Sequence, residues 1–205
     1  MPVSVRRSVS ILCVGLAALV ASAALPSSAG ASTVIYRTDA ELAALADRVV
    51  HGRVIRQRFA RPDGQDGAIY TVTTLAVLED FTGLPGRELE VWELGGVWGD
   101  ETMFVGGAVT YDPGTEVLVF LERGRFGLRS VAMGFSKFDV TPIPSADDSL
   151  DGRLRRNSYE TSILGRPALQ TPERTLAEFR DLTARVKGVR PIRNRDAELL
   201  DPEGA

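Results

Sequence analysis

The chain has 205 residues, 44% hydrophobic and 25% charged, which is enough apolar material for one domain that folds without covalent staples. Its formal charge of −3 argues against nucleic acid as the partner. One cysteine and one histidine exclude a disulfide framework, a thiolate metal site and a His-Glu-x-x-His zinc centre.

Residues 1–31 have the layout of a secretory signal peptide. Arg6 and Arg7 precede an apolar run over 11–25, and Ala29-Gly30-Ala31 follows as a small-residue cleavage site, with cleavage after Ala23 as the alternative. An apolar run of about 15 residues is short of the ~20 that a spanning helix needs, and no later segment approaches that length. The expectation is a secreted or periplasmic protein with no transmembrane segment. Cys13 leaves with the signal, and Ile11-Leu12 ahead of it is a poor context for lipid attachment. Losing Arg6 and Arg7 takes the formal charge from −3 to −5.

The folded part begins with a capping box, Thr38-Asp39-Ala40-Glu41, which predicts a short helix over 39–46. Residues 48–56 are β-branched and bounded by polar residues, the pattern of a strand. A turn-rich loop over 61–67 leads to 69–78, a strand apolar or β-branched on both faces. After a turn at 82–86, residues 88–94 alternate, with Leu89, Val91 and Glu93 on one face and Glu88, Glu90, Trp92 and Leu94 on the other. Residues 95–107 carry five glycines and read as an irregular loop or a broken hairpin. Asp112-Pro113-Gly114 turns the chain into a buried strand at 117–121, which hairpins through 123–125 to strands at 128–133 and 137–140. The stretch 141–170 reads as a connector or flap with one strand at 153–159. A C-terminal helix is predicted over 171–188, opened by Thr171-Pro172-Glu173, striped by Leu176, Phe179, Leu182 and Val186, and stopped by Gly188. Residues 189–205 read as a charged, disordered tail.

Three motifs in this order carry a resemblance: Ala46-Asp47-Arg48-Val49-Val50-His51-Gly52-Arg53-Val54, Val77-Leu78-Glu79-Asp80-Phe81-Thr82-Gly83, and the run from Pro113-Gly114-Thr115-Glu116 through Val117-Leu118-Val119-Phe120-Leu121. Together they resemble bacterial secreted proteins whose domain is similar to the netrin and tissue-metalloprotease-inhibitor fold. The resemblance implies a mainly β chain, a small OB-like (TIMP/netrin-like) β-barrel over 32–140 with a short N-terminal helix and a C-terminal helix. Inhibitors of that fold chelate the protease zinc through an N-terminal cysteine, a residue that the mature chain lacks, so inhibition by that route does not carry over.

Candidate chemistry is sparse. His51 is the single histidine around which a nucleophile triad could be built, and its place inside a strand fits a packed side chain better. Asp147, Ser149, Asp151 and Gly152 have the spacing that opens a calcium loop, but Ser158 stands where the bidentate glutamate belongs. Glu88, Glu90 and Asp100 are the carboxylates that a hydrolase would use, and Glu88 and Glu90 fall on the wet face of their strand. Trp92, Trp98, Met103 and Phe104 cluster in and beside the glycine-rich loop, where flat apolar side chains suit a binding surface. The expectation is a non-enzymatic extracellular binding domain without cofactor or metal. Its partner would be a secreted protein such as a protease, or the cell envelope, and its rival is a carboxylate-dependent hydrolase.

Overall fold

The computed structural model describes residues 33–64, 67–144, 150–156, 162–165 and 174–194. The signal at 1–31, the calcium-loop residues Asp147, Ser149 and Ser158, the helix opening at 171–173 and the tail after Asn194 lie outside the described residues. Among the described residues no helix is long and apolar enough to cross a membrane.

In chain order the elements are β1 (Thr33–Ile35), α1 (Asp39–Leu45), β2 (Arg48–Ala60), β3 (Tyr70–Asp80), β4 (Glu88–Leu94), β5 (Gly96–Trp98) and β6 (Glu101–Met103). There follow β7 (Glu116–Arg123), β8 (Leu128–Ser130), a 3-10 turn (Met133–Ser136), β9 (Lys137–Pro142), β10 (Gly152–Arg156), β11 (Ser162–Leu164), β12 (Arg174–Thr175), α2 (Leu176–Lys187) and β13 (Ile192–Arg193). Five strands close a barrel in the order β7, β2, β3, β4, β8 and back to β7. The seam between β4 and β8 is parallel, with Val91 opposite Leu128, while the other four contacts are antiparallel. This is the ring order of a small OB-like barrel, and the chain is mainly β with one short N-terminal and one C-terminal helix.

Two cores follow from the alternation of the strands. Val50, Val54, Leu75, Val77, Leu89 and Val91 point into the barrel with Val117, Val119 and Leu121. On the other face of β7, Leu118 and Phe120 join Leu42, Phe138, Leu176 and Phe179 in a second core under the helices. That double burial is why 117–121 is apolar on both faces, and on β3 the face away from the barrel interior, Ala76 and Leu78, packs with Ile55 and Leu150.

Local signals set the helix ends. The Thr38 hydroxyl accepts from the Glu41 amide, and the Glu41 carboxylate returns to the Thr38 amide at 2.7 Å. α2 starts with the same device, Thr175 and Glu178, and ends at Gly188, whose φ of 68° is a left-handed position that a residue with a Cβ resists.

Four details differ from the sequence expectation. α2 begins at Leu176, where the Thr175–Glu178 capping box opens it, and its buried stripe ends on Thr183 while Val186 is exposed. The strand expected over 128–133 stops at Ser130, where the 3-10 turn redirects the chain. Within the expected connector, β10 pairs with β9 and β11 with β1. The tail does not begin at 189, since β13 hydrogen-bonds along β3 at Glu79 and Asp80.

Phe179 anchors α2. Its ring is fully buried, edge-on to Phe138 with centroids 5.0 Å apart and 5.9 Å from Phe120. Phe179→Ala is expected to cost about 3–5 kcal/mol in urea unfolding. A loss below ~0.5 kcal/mol would show that the helix contributes no core packing.

Candidate functional site

The glycine-rich stretch after β4 is a hairpin, β5 and β6, with Gly96 opposite Met103 and Trp98 opposite Glu101. Its base is held by backbone: the Gly95 amide donates to the Ile69 carbonyl at 2.8 Å, and the Thr71 hydroxyl donates to the Gly95 carbonyl at 2.8 Å. Gly96 is required there. Its φ is 139°, and a Cβ would lie 2.7 Å from the Phe59 ring, so only glycine lets the hairpin rest on β2. Arg61 forks onto Glu101 and ties the far strand to the loop after β2.

The hairpin and its surroundings leave large apolar side chains in water. Trp98 is 45% exposed and Phe104 76%, and Val97, Leu94 and Phe59 are exposed beside them along the chain or at the hairpin base. Scattered exposed apolar residues need no explanation, whereas Val97 and Trp98 on one short hairpin of fixed backbone, with Phe104 directly after it, have the composition of a contact surface.

The four residues singled out from the sequence therefore divide. Trp98 is exposed on the hairpin and Phe104 directly after it, and Met103 is half-buried at its base opposite Gly96. Trp92 lies elsewhere, on the outer face of β4. It is half-buried, with ring centroids 6.2 Å from Tyr70 and 5.9 Å from Phe126, and the Arg58 guanidinium stands 5.3 Å above it. Those neighbours already cover the Trp92 ring, so it pins the β7–β8 turn onto β4.

The barrel interior holds one carboxylate of β4, apart from Glu88 and Glu90 on the outer face. Glu93 follows Leu89 and Val91 on the inward face of β4, is buried, and accepts the Ser130 amide at 3.0 Å. Burial pushes its carboxyl up to about 7, against the lowering effect of Ser130 and of the Arg129 charge. Tyr111, itself buried, stands 3.4 Å from the Ser130 hydroxyl, and burial together with the Glu93 charge drives its hydroxyl well above the usual tyrosine range. The signal was present in the sequence as the β4 alternation, which puts Glu93 in phase with Leu89 and Val91.

The other candidates for chemistry are committed to structure. His51 is buried on β2, and its Nε2 lies 3.0 Å from Glu116, which also takes Arg53 at 3.0 Å. Burial raises the Glu116 carboxyl, but the contacts with His51 and Arg53 outweigh it and hold the group below the usual carboxylate range. Glu88 pairs with Arg56 at 3.4 Å and Glu90 with Arg58 at 3.0 Å on the outer face of the barrel, and Asp100 is exposed at the hairpin tip. Asp151 caps backbone, accepting from the Gly152 amide at 2.9 Å and the Ala177 amide at 3.4 Å. Among the described residues no three His, Cys, Asp or Glu side chains gather in a way that could hold a metal ion. No family model, no characterised protein and no solved structure matches the chain.

Burial of the Glu93 carboxyl makes the stability of the fold depend on pH. The folded protein holds this proton more tightly than the unfolded chain, so the contribution is complete below pH 4.5 and is lost as pH climbs to about 7. The loss is on the order of 3 kcal/mol. Urea unfolding of the wild type and of Glu93→Gln across that interval is expected to show a decline that the variant lacks. Parallel profiles would mean that Glu93 is charged throughout.

Proposed function

We propose that this chain is a non-enzymatic binding domain of an exported protein, with the β5–β6 hairpin as its contact surface. The observation that carries the reading is the exposure of Trp98 on, and of Phe104 directly after, a hairpin whose base is fixed by glycine packing and backbone hydrogen bonds. Aromatic side chains held in place lose little freedom on binding and bring large apolar area, which is the composition of interface anchors. The contact of His51 with Glu116 and the ion pairs of Glu88 and Glu90 with Arg56 and Arg58 support binding over hydrolysis. A protein outside the cytoplasm, such as a secreted protease, is the partner class that the signal-like first 31 residues and the resemblance to the inhibitor fold favour.

Trp98→Ala and Phe104→Ala test this. Both side chains are exposed, so each variant is expected to melt within a few degrees of the wild type, while capture of the partner from culture supernatant weakens by ~2 kcal/mol or more, about thirtyfold. Early melting of Trp98→Ala would make it a plug of the fold, and undiminished capture by both variants would remove the hairpin from the interface.

A further inference from the structure

A cleft of about 850 Å3 opens between the start of β2, the loop after β3 and the β7–β8 turn. Leu84, Pro85 and Phe126 supply apolar wall, and Arg48, Arg123 and Arg125 bring three guanidinium-bearing side chains to it. Its size is that of a small-molecule site.

The three arginines differ in what already holds them. Arg48 is fixed in the structure: its Nε donates to Asp80 at 2.8 Å, and its Nη2 reaches that carboxylate and the Leu84 carbonyl, so it builds the wall. Arg125 stands over the Phe126 ring at 4.9 Å and forks onto Asp63 at 3.0 and 3.1 Å, but that ion pair is 73% and 36% exposed, and a pair so open to water exchanges partners at little cost while the guanidinium stays at the ring. The Arg123 guanidinium has no hydrogen-bond partner among the described residues, and only its backbone amide is engaged, by Asp47 at 2.7 Å. A guanidinium without a partner among the described residues, on the wall of a cleft that Phe126, Leu84 and Pro85 also line, is complementary to an oxyanion carried on an apolar body. The planar fork binds carboxylate or phosphate through two parallel N–H bonds, and the apolar walls desolvate the rest.

We propose that this cleft binds a small organic anion, a carboxylate or phosphate attached to an aromatic or branched apolar group. Arg123 holds the charge, Arg125 turns from Asp63 to join it, and Phe126 and Leu84 cover the apolar body. The site is distinct from the hairpin and does not rest on the reading given to it. Asp47 is the one carboxylate on the wall. Its charge opposes the ligand, which makes its neutralisation a readout that a merely structural role would not move.

Phenyl phosphate and benzoate are the probes, titrated into the protein and followed by backbone amide chemical shifts. Inorganic phosphate serves as the charge-only arm and benzyl alcohol as the apolar-only arm. At least one probe is expected to saturate shifts at Arg123, Gly124, Phe126 and Gly127, with both single-feature arms weaker by about tenfold or more. Arg123→Ala is expected to weaken that probe about tenfold. Asp47→Asn should tighten it by about threefold, and Trp98→Ala should leave it unchanged. The proposal is overturned if neither probe saturates those amides, if the shifts fall on Val97 and Trp98 instead, or if inorganic phosphate alone binds as tightly. An affinity unchanged in Arg123→Ala, or unchanged or weaker in Asp47→Asn, overturns it as well.

Discussion

The fold depends on β7 being buried on both faces and paired on both edges. Its side chains alternate between the barrel interior, through Val117, Val119 and Leu121, and the core under the helices, through Leu118 and Phe120. One edge carries β2, and the other is divided between β9 near Glu116 and β8 near Arg123. A strand in this position tolerates no charge along its middle, and none occurs between Glu116 and Glu122. The division of the second edge requires the chain to leave the barrel seam after Ser130 and return to the same strand further along. The 3-10 turn at Met133–Ser136 makes that step, pinned by the Gly134 amide donating to the Gly107 carbonyl at 2.9 Å.

Buried charge is handled in two ways. Asp39, Glu79 and Asp80 are each buried and each met by an arginine from a distant part of the sequence: Asp39 by Arg156 and Arg174, Glu79 by Arg180, Asp80 by Arg48. Such pairs add little net stability over apolar replacements, yet removing one partner strands a charge in the core, so they select one docking of β10 and α2 against sliding alternatives. The Arg156 guanidinium also lies 3.9 Å from the Phe135 ring and 4.2 Å from that of Phe138, which welds the ion pair to the outer core. Glu93 has no arginine in contact. Ser130 and the more distant Arg129 charge offset its burial only in part, so the carboxyl's burial is relieved by a proton instead of a paired counter-charge, and the barrel interior becomes sensitive to pH.

The strands were legible wherever apolar runs were bounded by turn residues, while their closure into a barrel was an expectation from the resemblance alone. The barrel strands, the first capping box and the C-terminal helix all follow from local pattern. What escaped was set by contacts that sequence spacing does not encode. Thr171-Pro172-Glu173 and Thr175 with Glu178 are both helix-start patterns in the sequence, and only the hydrogen bonds of the second show that α2 opens at Leu176. Ile192 and Arg193 look like tail until the open edge of β3 at Glu79 and Asp80 takes them up. In the candidate site the exposure of Trp98 and Phe104 is consistent with glycine-rich sequence that gives them no alternating partner. Trp92 could not be separated from them by sequence, because its neighbours Tyr70 and Phe126 lie 22 and 34 residues away along the chain.

Stability and surface are assigned to different residues in this molecule. The inner core, the outer core and the long-range ion pairs are complete without Trp98, Phe104, Arg123 or Val97, so these positions are free of the packing constraint that fixes most other large side chains. The loops that carry them are nonetheless tied down. Gly96 seats the hairpin on Phe59, and the β7–β8 turn is closed by the Gly124 amide on the Gly127 carbonyl at 2.7 Å and covered by the Trp92 ring. A surface presented on restrained backbone loses little freedom when a ligand or partner arrives, so contact made there is realised as affinity instead of being spent on ordering a loop. The barrel supplies that restraint, and its tolerance of change at the exposed positions follows from the same division.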